Sequence, residues 1–289
     1  MNDKHYLRLR FSGLSTTQIY QLLNFAPTFM LANELEQRSI LQQFLTTLKS
    51  KNKENIYQLF EKFDLVQLQQ QLQAWHINYI TIDQHTYPPL LREIHNPPFI
   101  LFYRGNLNVI KSPQTLAIIG SRKATDYTWH TLQQFFPSFK KHNLTIVSGL
   151  AYGADKMAHQ FALFYKMPTI AVLGFGHLNH YPQSTQNVRN KIEATGIVIS
   201  EYIPNAKPYK YHFPERNRII SGLSRGVFIT EATEKSGTCI TTNCALEQNR
   251  EVYVLPGPIF NKMTEGNLRS AQEGAKIIRS VEDILEDYI

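Results

Sequence analysis

Only two cysteines, Cys239 and Cys244, occur in the 289 residues. Their spacing fits neither a metal knuckle nor a CxxC redox pair, so the sequence predicts reduced, partly buried thiols. Long apolar runs are missing as well. No stretch approaches the roughly 18 uncharged apolar residues of a membrane span, and the opening MNDKHYLRLRFSG holds no signal-peptide core. The expectation is a soluble cytosolic chain without a membrane span. Neither common phosphate-loop signature is present. GxGxxG fails at GSRKATDY, and Gly174-Phe175-Gly176 is followed by no third glycine, which argues against NAD; the absence of GxxxxGK[ST] argues against nucleotide hydrolysis. No Ser-His-Asp or paired-carboxylate spacing supports hydrolytic chemistry. His177 and His180 lack a cysteine or carboxylate at ligand spacing, so neither a metal nor another cofactor is expected. Asp155 and His159 stand four apart as an acid–base pair would, but a helix-start aspartate beside a packed histidine is the commoner reason for such a pair.

What the chain has is positive charge, unevenly placed. It carries 30 Lys and Arg against 23 Asp and Glu, a net charge of +7. Residues 1–83 hold 8 basic and 7 acidic side chains, and the remainder 22 and 16. The excess therefore belongs to the second part and favours a polyanionic partner. Residues 1–75 show helical apolar spacing in Thr17 to Phe25, Ile40 to Leu48, Ile56 to Phe63 and Leu65 to Trp75, predicting a small, nearly neutral helical domain. From Asn78 extended pieces are broken by Pro88, Pro89, Pro97 and Pro98, which forbid long helices and suggest a connector packed onto the next domain.

From Leu116 short apolar runs alternate with helical stretches: LAIIG, TIVSG, TIAVLG, GIVIS, VFITEA and EVYVLPG. Continuous apolarity is expected of parallel strands covered on both faces, so residues 76–289 read as a doubly wound α/β sheet. Four runs end in small residues: Gly120-Ser121-Arg122, the turn from Ser148 and Gly149 to Gly153, Gly174 to Gly176, and Ser236-Gly237-Thr238. Such turns let backbone amides approach an anion at helix starts, and ligands of open α/β sheets bind at the carboxyl ends of strands. Four on one edge, with Arg122, Arg216 and Arg218 nearby, predict a phosphate-lined rim.

The segment FPERNRIISGLSRGVFITEATEKSGT, residues 213 to 238, carries the sharpest signal. Phe213-Pro214 opens a helix whose apolar stripe is Ile219, Ile220 and Leu223. At 100° per residue Arg216 projects near that stripe, while Arg218 and Arg225 fall on the opposite side, Arg225 at the helix end. A cation in the first turn opposes the helix dipole by about 0.3 to 1 kcal/mol, so an anion should offset it. That anion is either a ligand phosphate or one of Glu215, Glu231 and Glu247. On this reading Arg216, not Arg225, faces the ligand.

Several ordered motifs resemble one family. GSR at 120–122, SGLAxGxDxxAH at 148–159, YP at 181–182, SEY at 200–202, FPxRNRIISGLS at 213–224, EAxxxSGTxIT at 231–241, ALEQ at 245–248 and LPG at 255–257 are together similar to the DprA (Smf) family of DNA-processing proteins. The resemblance covers about residues 80 to 280, and the helical N-terminus resembles that family's SAM-like domain. It implies an extended Rossmann fold that binds single-stranded DNA without catalysis, forms a homodimer and loads the RecA recombinase during natural transformation, with single-strand-binding protein as a further partner. The family's DNA pocket then falls on Gly120, Ser121, Arg122, Ser148, Gly149, Arg216, Asn217 and Arg218, beside the Ser236-Gly237-Thr238 turn. Two departures stand out. Gln183 follows the YP pair where many relatives have a basic residue, leaving Arg189 or Lys191 as partial substitutes. The sequence also ends at Ile289 without the winged-helix-like domain some relatives carry, so DNA binding is expected to rest on the Rossmann part.

Single strands are held by a basic groove and aromatic faces, and Tyr209, Tyr211 and Phe213 interleave with Lys207, Lys210 and Arg216. No recognition helix or base-reading motif is present, so sequence preference should be weak. The competing reading is a nucleoside-monophosphate phosphoribohydrolase, whose PGGxGTxxE motif supplies a catalytic glutamate. Here Gly237-Thr238 is followed by Cys239, Ile240 and Thr241, so the general acid–base group is missing. A purely structural α/β adaptor would leave the arginines unexplained.

Overall fold

A computed structural model describes residues 3–49, 52–234 and 236–288. The chain divides into two units: one ends at His85 and takes in Pro98–Leu101, and the other holds Thr86–Pro97 and the chain from Phe102 onward. The first unit contains helices α1 (Asp3–Phe11), α2 (Thr16–Phe25), α3 (Glu34–Thr47), α4 (Lys53–Glu61) and α5 (Leu65–Ala74), followed by strand β1 (Asn78–Thr81). The helix starts are written in the sequence. Ser15 with Gln18 and Asn33 with Glu36 form reciprocal capping boxes, and Asp64 accepts from the amides of Val66 and Gln67. Leu7, Leu9, Ile19, Leu22, Leu41 and Phe60 make the core. Helix α1 is absent from the periodicity reading because LRLR mimics a strand; its residues Tyr6, Leu7, Arg8 and Leu9 are all buried. Arg8 is tolerated there because its Nε donates to the Phe60 carbonyl at 2.8 Å and its guanidinium lies 3.9 Å from the Phe60 ring.

In the second unit follow α6 (Pro89–Arg92), β2 (Ile100–Gly105, which begins in the first unit), β3 (Thr115–Ile119), α7 (Asp126–Lys141), β4 (Thr145–Ser148), α8 (Ala154–Phe164), β5 (Thr169–Leu173), α9 (Gln186–Thr195), β6 (Ile197–Ser200) and α10 (His212–Gly222). The remaining elements are β7 (Gly226–Ile229), α11 (Gly237–Glu247), β8 (Glu251–Val254), α12 (Glu265–Gln272), β9 (Lys276–Ile277) and α13 (Glu282–Leu285). The strands run in the order β2-β6-β5-β4-β3-β7-β8-β9. All these pairings are parallel except β2 with β6, where Phe102 faces Ser200 and Gly105 faces Ile197. The expected connector thus ends as an antiparallel strand, because past Pro98 the run Phe99 to Phe102 is uninterrupted and apolar.

The fold is the expected Rossmann-like α/β architecture. Helices α7, α8 and α13 share one core with Leu116, Ile118, Ile146, Phe228 and Tyr253 of the sheet. The chain winds outward from β3 through β4, β5 and β6, then returns to place β7 on the other side of β3. That reversal is a topological switch point, and it opens a crevice at the carboxyl ends of β3 and β7.

Two histidines lie deep in this unit. His159 Nδ1 is 2.8 Å from the Thr169 hydroxyl, and His177 Nε2 donates to the Phe102 carbonyl at 3.1 Å. Burial pushes both imidazoles down to about 3. Their folded pKa lies below the unfolded value, so the unfolded chain binds more protons and stability is complete only above the unfolded pKa. Denaturant titrations between pH 7 and pH 4 should show stability falling from about pH 6.5 downward, by at most about 1.4 kcal/mol per pH unit for each histidine. His159→Gln should reduce that slope.

Candidate functional site

The crevice is a cleft of about 570 Å³. Three sequence-predicted groups meet there: Gly120, Ser121 and Arg122 beyond β3, Arg216 and Asn217 of α10, and Ser236, Gly237 and Thr238 at the start of α11. Thr241, Tyr181, Lys210 and Phe213 also line it. Gly149 borders a small adjoining pocket with Arg122 and Arg216.

Each turn is fixed before any ligand arrives. The Ser121 amide donates to the Glu231 carbonyl at 2.6 Å, and the Ser121 carbonyl accepts from the Ala154 amide at the head of α8 at 3.2 Å. Gly153 has φ of +71°, and a Cβ there would overlap the Ser121 and Arg122 backbone. The Glu231 side chain is buried, and it accepts from the Thr125 amide at 2.7 Å and from the Thr125 and Thr128 hydroxyls at 2.8 and 2.7 Å. That carboxylate braces the Gly120–Thr125 loop. On the far wall Ser236 is the N-cap of α11 but its hydroxyl makes no capping bond, and a Cβ at Gly237 would meet open space. Asn217 Nδ2 bridges to the Gly237 carbonyl at 3.3 Å, joining α10 to α11.

Arg216 is 4 % exposed. Its Nη1 donates to the Gly149 carbonyl at 2.6 Å and to the Val172 carbonyl, so the guanidinium caps the ends of β4 and β5. A Cβ at Gly149 would occupy the space of that guanidinium. The offsetting carboxylate is Asp155, not Glu215, Glu231 or Glu247. Burial raises the Asp155 carboxyl while Arg216 pulls it back down, and burial lowers Arg216 while Asp155 sustains it. Glu215 instead accepts from the Tyr202 hydroxyl at 2.8 Å. Asp155 Oδ2 accepts from the Ala151 amide, and His159 bonds to Thr169, so the two residues have separate partners. Helix α10 begins at His212, one residue before the expected start, which puts Arg216 just past the first turn.

The other cations divide. Arg122 is exposed, makes no ion pair among the described residues, and lies 5.9 Å from the Phe213 ring. Phe213 and the half-exposed Tyr181 sit 5.8 Å apart. Tyr209 and Tyr211 stack on each other at 5.7 Å, outside the cleft lining. Arg218 does not line the cleft. Its Nη2 reaches both oxygens of Glu201 at 2.7 and 2.8 Å. Ser148 is buried and donates to the Ile118 carbonyl at 2.6 Å. Arg225 lies at the opposite end of the sheet, where β7 starts, and not on the end of α10. It donates to Gln114 and to the Asp287 carbonyl, each at 2.8 Å.

Arg189 is also engaged: it holds Glu193 at 2.7 Å, the Asn179 carbonyl at 2.6 Å and the His177 carbonyl at 2.8 Å. Lys191 lines a different cleft. The cation that joins Arg122 on the rim is Lys210, carried by the loop before α10. Sequence spacing did not single out Tyr181 and Asp155 for the site; the YP and SGLAxGxD motifs in which they sit were the available signal.

The model of the DNA recombination-mediator protein A family matches residues 78–289. The chain belongs to that family. It is 34% identical over 281 residues to the DNA processing protein DprA of Streptococcus pneumoniae, covering 97% of this chain and 96% of that one. It is 39% identical over 211 residues to the Bacillus subtilis protein of the same name, covering 73% of this chain and 71% of that one. The crystal structure of the S. pneumoniae protein superposes with a TM-score of 0.85 at 33% identity, covering 100% of this chain and 98% of that one. A structure of the Helicobacter pylori family member, described for its single-stranded DNA binding mode, matches with a TM-score of 0.65 at 29% identity, covering 74% of this chain and 99% of that one.

Arg216 thus has a structural duty inside the family's fold. Arg216→Ala would leave two strand-end carbonyls and Asp155 without their cation, at a cost of about 3 to 5 kcal/mol. Urea unfolding should show that loss, whereas Arg122→Ala, at an exposed position, should stay within about 0.5 kcal/mol of the parent.

Proposed function

We propose that the chain binds single-stranded DNA at the strand-end cleft and does no chemistry on it. The observation that carries the reading is the charge of the lining: Arg122, Lys210 and Arg216 face a single carboxylate, the buried Asp155. Arg122 and Lys210 are exposed on long stems and suit a backbone phosphate, while Tyr181 and Phe213 offer aromatic faces for bases. The sequence holds no recognition helix or base-reading motif, so a flexible strand fits better than a duplex. The cleft's position at the switch point, where α/β ligands bind, supports the same reading.

Following the family resemblance, the bound strand is protected and handed to the RecA recombinase during natural transformation, with the chain acting in the cytoplasm as a homodimer alongside single-strand-binding protein. The phosphoribohydrolase reading is disfavoured because Thr241, a buried cleft residue, stands where that chemistry needs a glutamate.

Fluorescence anisotropy of labelled oligo-dT against a duplex of equal length tests the binding. At the same ionic strength the single strand should bind more tightly; equal or tighter duplex binding would overturn the proposal. Arg122→Ala should weaken the single strand by about 1 to 3 kcal/mol and flatten the salt dependence, whereas Arg225→Ala, at the other end of the sheet, should cost less than about 1 kcal/mol. Mass spectrometry of AMP incubated with the protein should find no free adenine; catalytic release would restore the enzyme reading.

A further inference from the structure

A second cleft, of about 1300 Å³, runs along α8 and α9. Lys156 stands at its end nearer the carboxyl ends of the strands. Its other end lies beside Lys166 and Thr195, just before β5 and β6 begin. The floor is apolar: Trp129, Phe161, Leu163, Met167 and Val188 line it. Phe164 also lines it and is 76 % exposed, an unusual place for a phenylalanine with no apolar cover. The floor is also fixed. The Trp129 ring packs on Phe161 at 4.6 Å, and Phe164 meets Tyr165 edge-on at 5.0 Å.

The charge around this floor has one sign. Lys156, Lys166 and Lys191 line the cleft and no Asp or Glu does. None of the three lysines makes an ion pair among the described residues. Glu193 of α9 is already held by Arg189 at 2.7 Å and Arg104 at 3.7 Å. An apolar trough ringed by unpaired ammonium groups is complementary to a chain that alternates carboxylates with large apolar side chains.

We propose that this cleft docks an acidic, apolar-rich peptide segment of a partner protein. Burial of the partner's apolar side chains on Phe164 and Leu163 supplies affinity, and the three lysines supply orientation and a fast, salt-sensitive encounter. A second copy of the chain fits poorly, because an isologous pairing would set these lysines against their own counterparts. A DNA strand also fits poorly: Trp129 and Phe161 pack their rings on each other, and no arginine lines it.

The test uses the full chain and a short fluorescein-labelled peptide in which aspartate alternates with phenylalanine and leucine. Two control peptides replace either its aspartates by lysine or its apolar residues by serine. The parent peptide should bind saturably and both controls at least about tenfold more weakly. Phe164→Ser should weaken the peptide about tenfold while changing oligo-dT affinity by less than about twofold. Gln133→Glu, which adds a carboxylate at an exposed lining position, should weaken it with a steeper loss at low salt. Circular dichroism and melting of both variants confirm the fold, and either variant alone suffices if the other unfolds. The proposal is overturned if the peptide shows no saturable binding or if the serine control binds as well as the parent. It is also overturned if Phe164→Ser lowers oligo-dT binding as much as peptide binding, which would make the cleft a DNA path. A shift in sedimentation on Phe164→Ser would make the occupant a second copy and overturn it equally.

Discussion

The cleft depends on one buried cation. Arg216 reaches from α10 to the carbonyls of Gly149 and Val172 on two neighbouring strands, and one nitrogen, Nη1, donates to both. Gly149 lies just past β4 and Val172 one residue before the end of β5, so one guanidinium ties two strand ends together and satisfies its buried Nη1 donors on them. The desolvation this imposes on Arg216 is offset by Asp155 from the next turn, itself held by the Ala151 amide. Helix α10 is therefore pinned at the position that presents Phe213 and Asn217 to the cleft. Gly149 follows from the same constraint, since any side chain there would displace the guanidinium.

The cations near the rim consequently fall into two kinds. Arg216, Arg218 and Arg189 are held by carbonyls or carboxylates and define shape, whereas Arg122 and Lys210 are exposed and define the field outside. An exposed charge on a long stem can follow a flexible polyanion with little reorganisation of the scaffold, and its contribution falls with salt. A floor locked by glutamate and threonine bonds beneath an exposed basic rim would suit the proposed ligand, whose backbone is uniform and whose bases vary. The brace at Glu231 matters here. Its partners are a neutral amide and two hydroxyls, so the loop carrying Arg122 is fixed without any cation having to be diverted from the rim.

Much of this was legible in the sequence. The six apolar runs gave the parallel strands because burial on both faces demands continuous apolarity, and the glycines after them marked places where a backbone or a guanidinium comes too close for a Cβ. The helical angle of Arg216 correctly put it toward the strand ends, but could not tell a carbonyl partner from a phosphate, since both accept from a guanidinium. Arg218 was hidden for the complementary reason: its partner Glu201 lies 17 residues away in a motif of its own, and an ion pair made through the fold leaves no local spacing. Helix α1 was lost because its LRLR run buries Leu7, Arg8 and Leu9 together, so no polar face exists to set a period.

The two clefts can also be weighed against each other through α8. Its head, at Gly153 and Ala154, is tied to Ser121 beside the basic rim, and its tail carries Phe164 and leads to Lys166. Ala158, Phe161 and Ala162 of that helix are buried in the main core, so the element is a rigid rod and not a hinge. A rigid rod does not transmit a conformational signal by bending; it keeps a fixed distance. Eleven residues at about 1.5 Å each place the helix ends roughly 16 Å apart. Phe164 therefore sits a helix length from Ser121, whereas Lys156 of the second cleft directly follows Asp155 of the first, so occupants of the two clefts would be neighbours on one surface and feel each other's charge through salt-screened water. Coupling between them would arise from charge, tethering and local concentration, not from a change in either cleft's geometry.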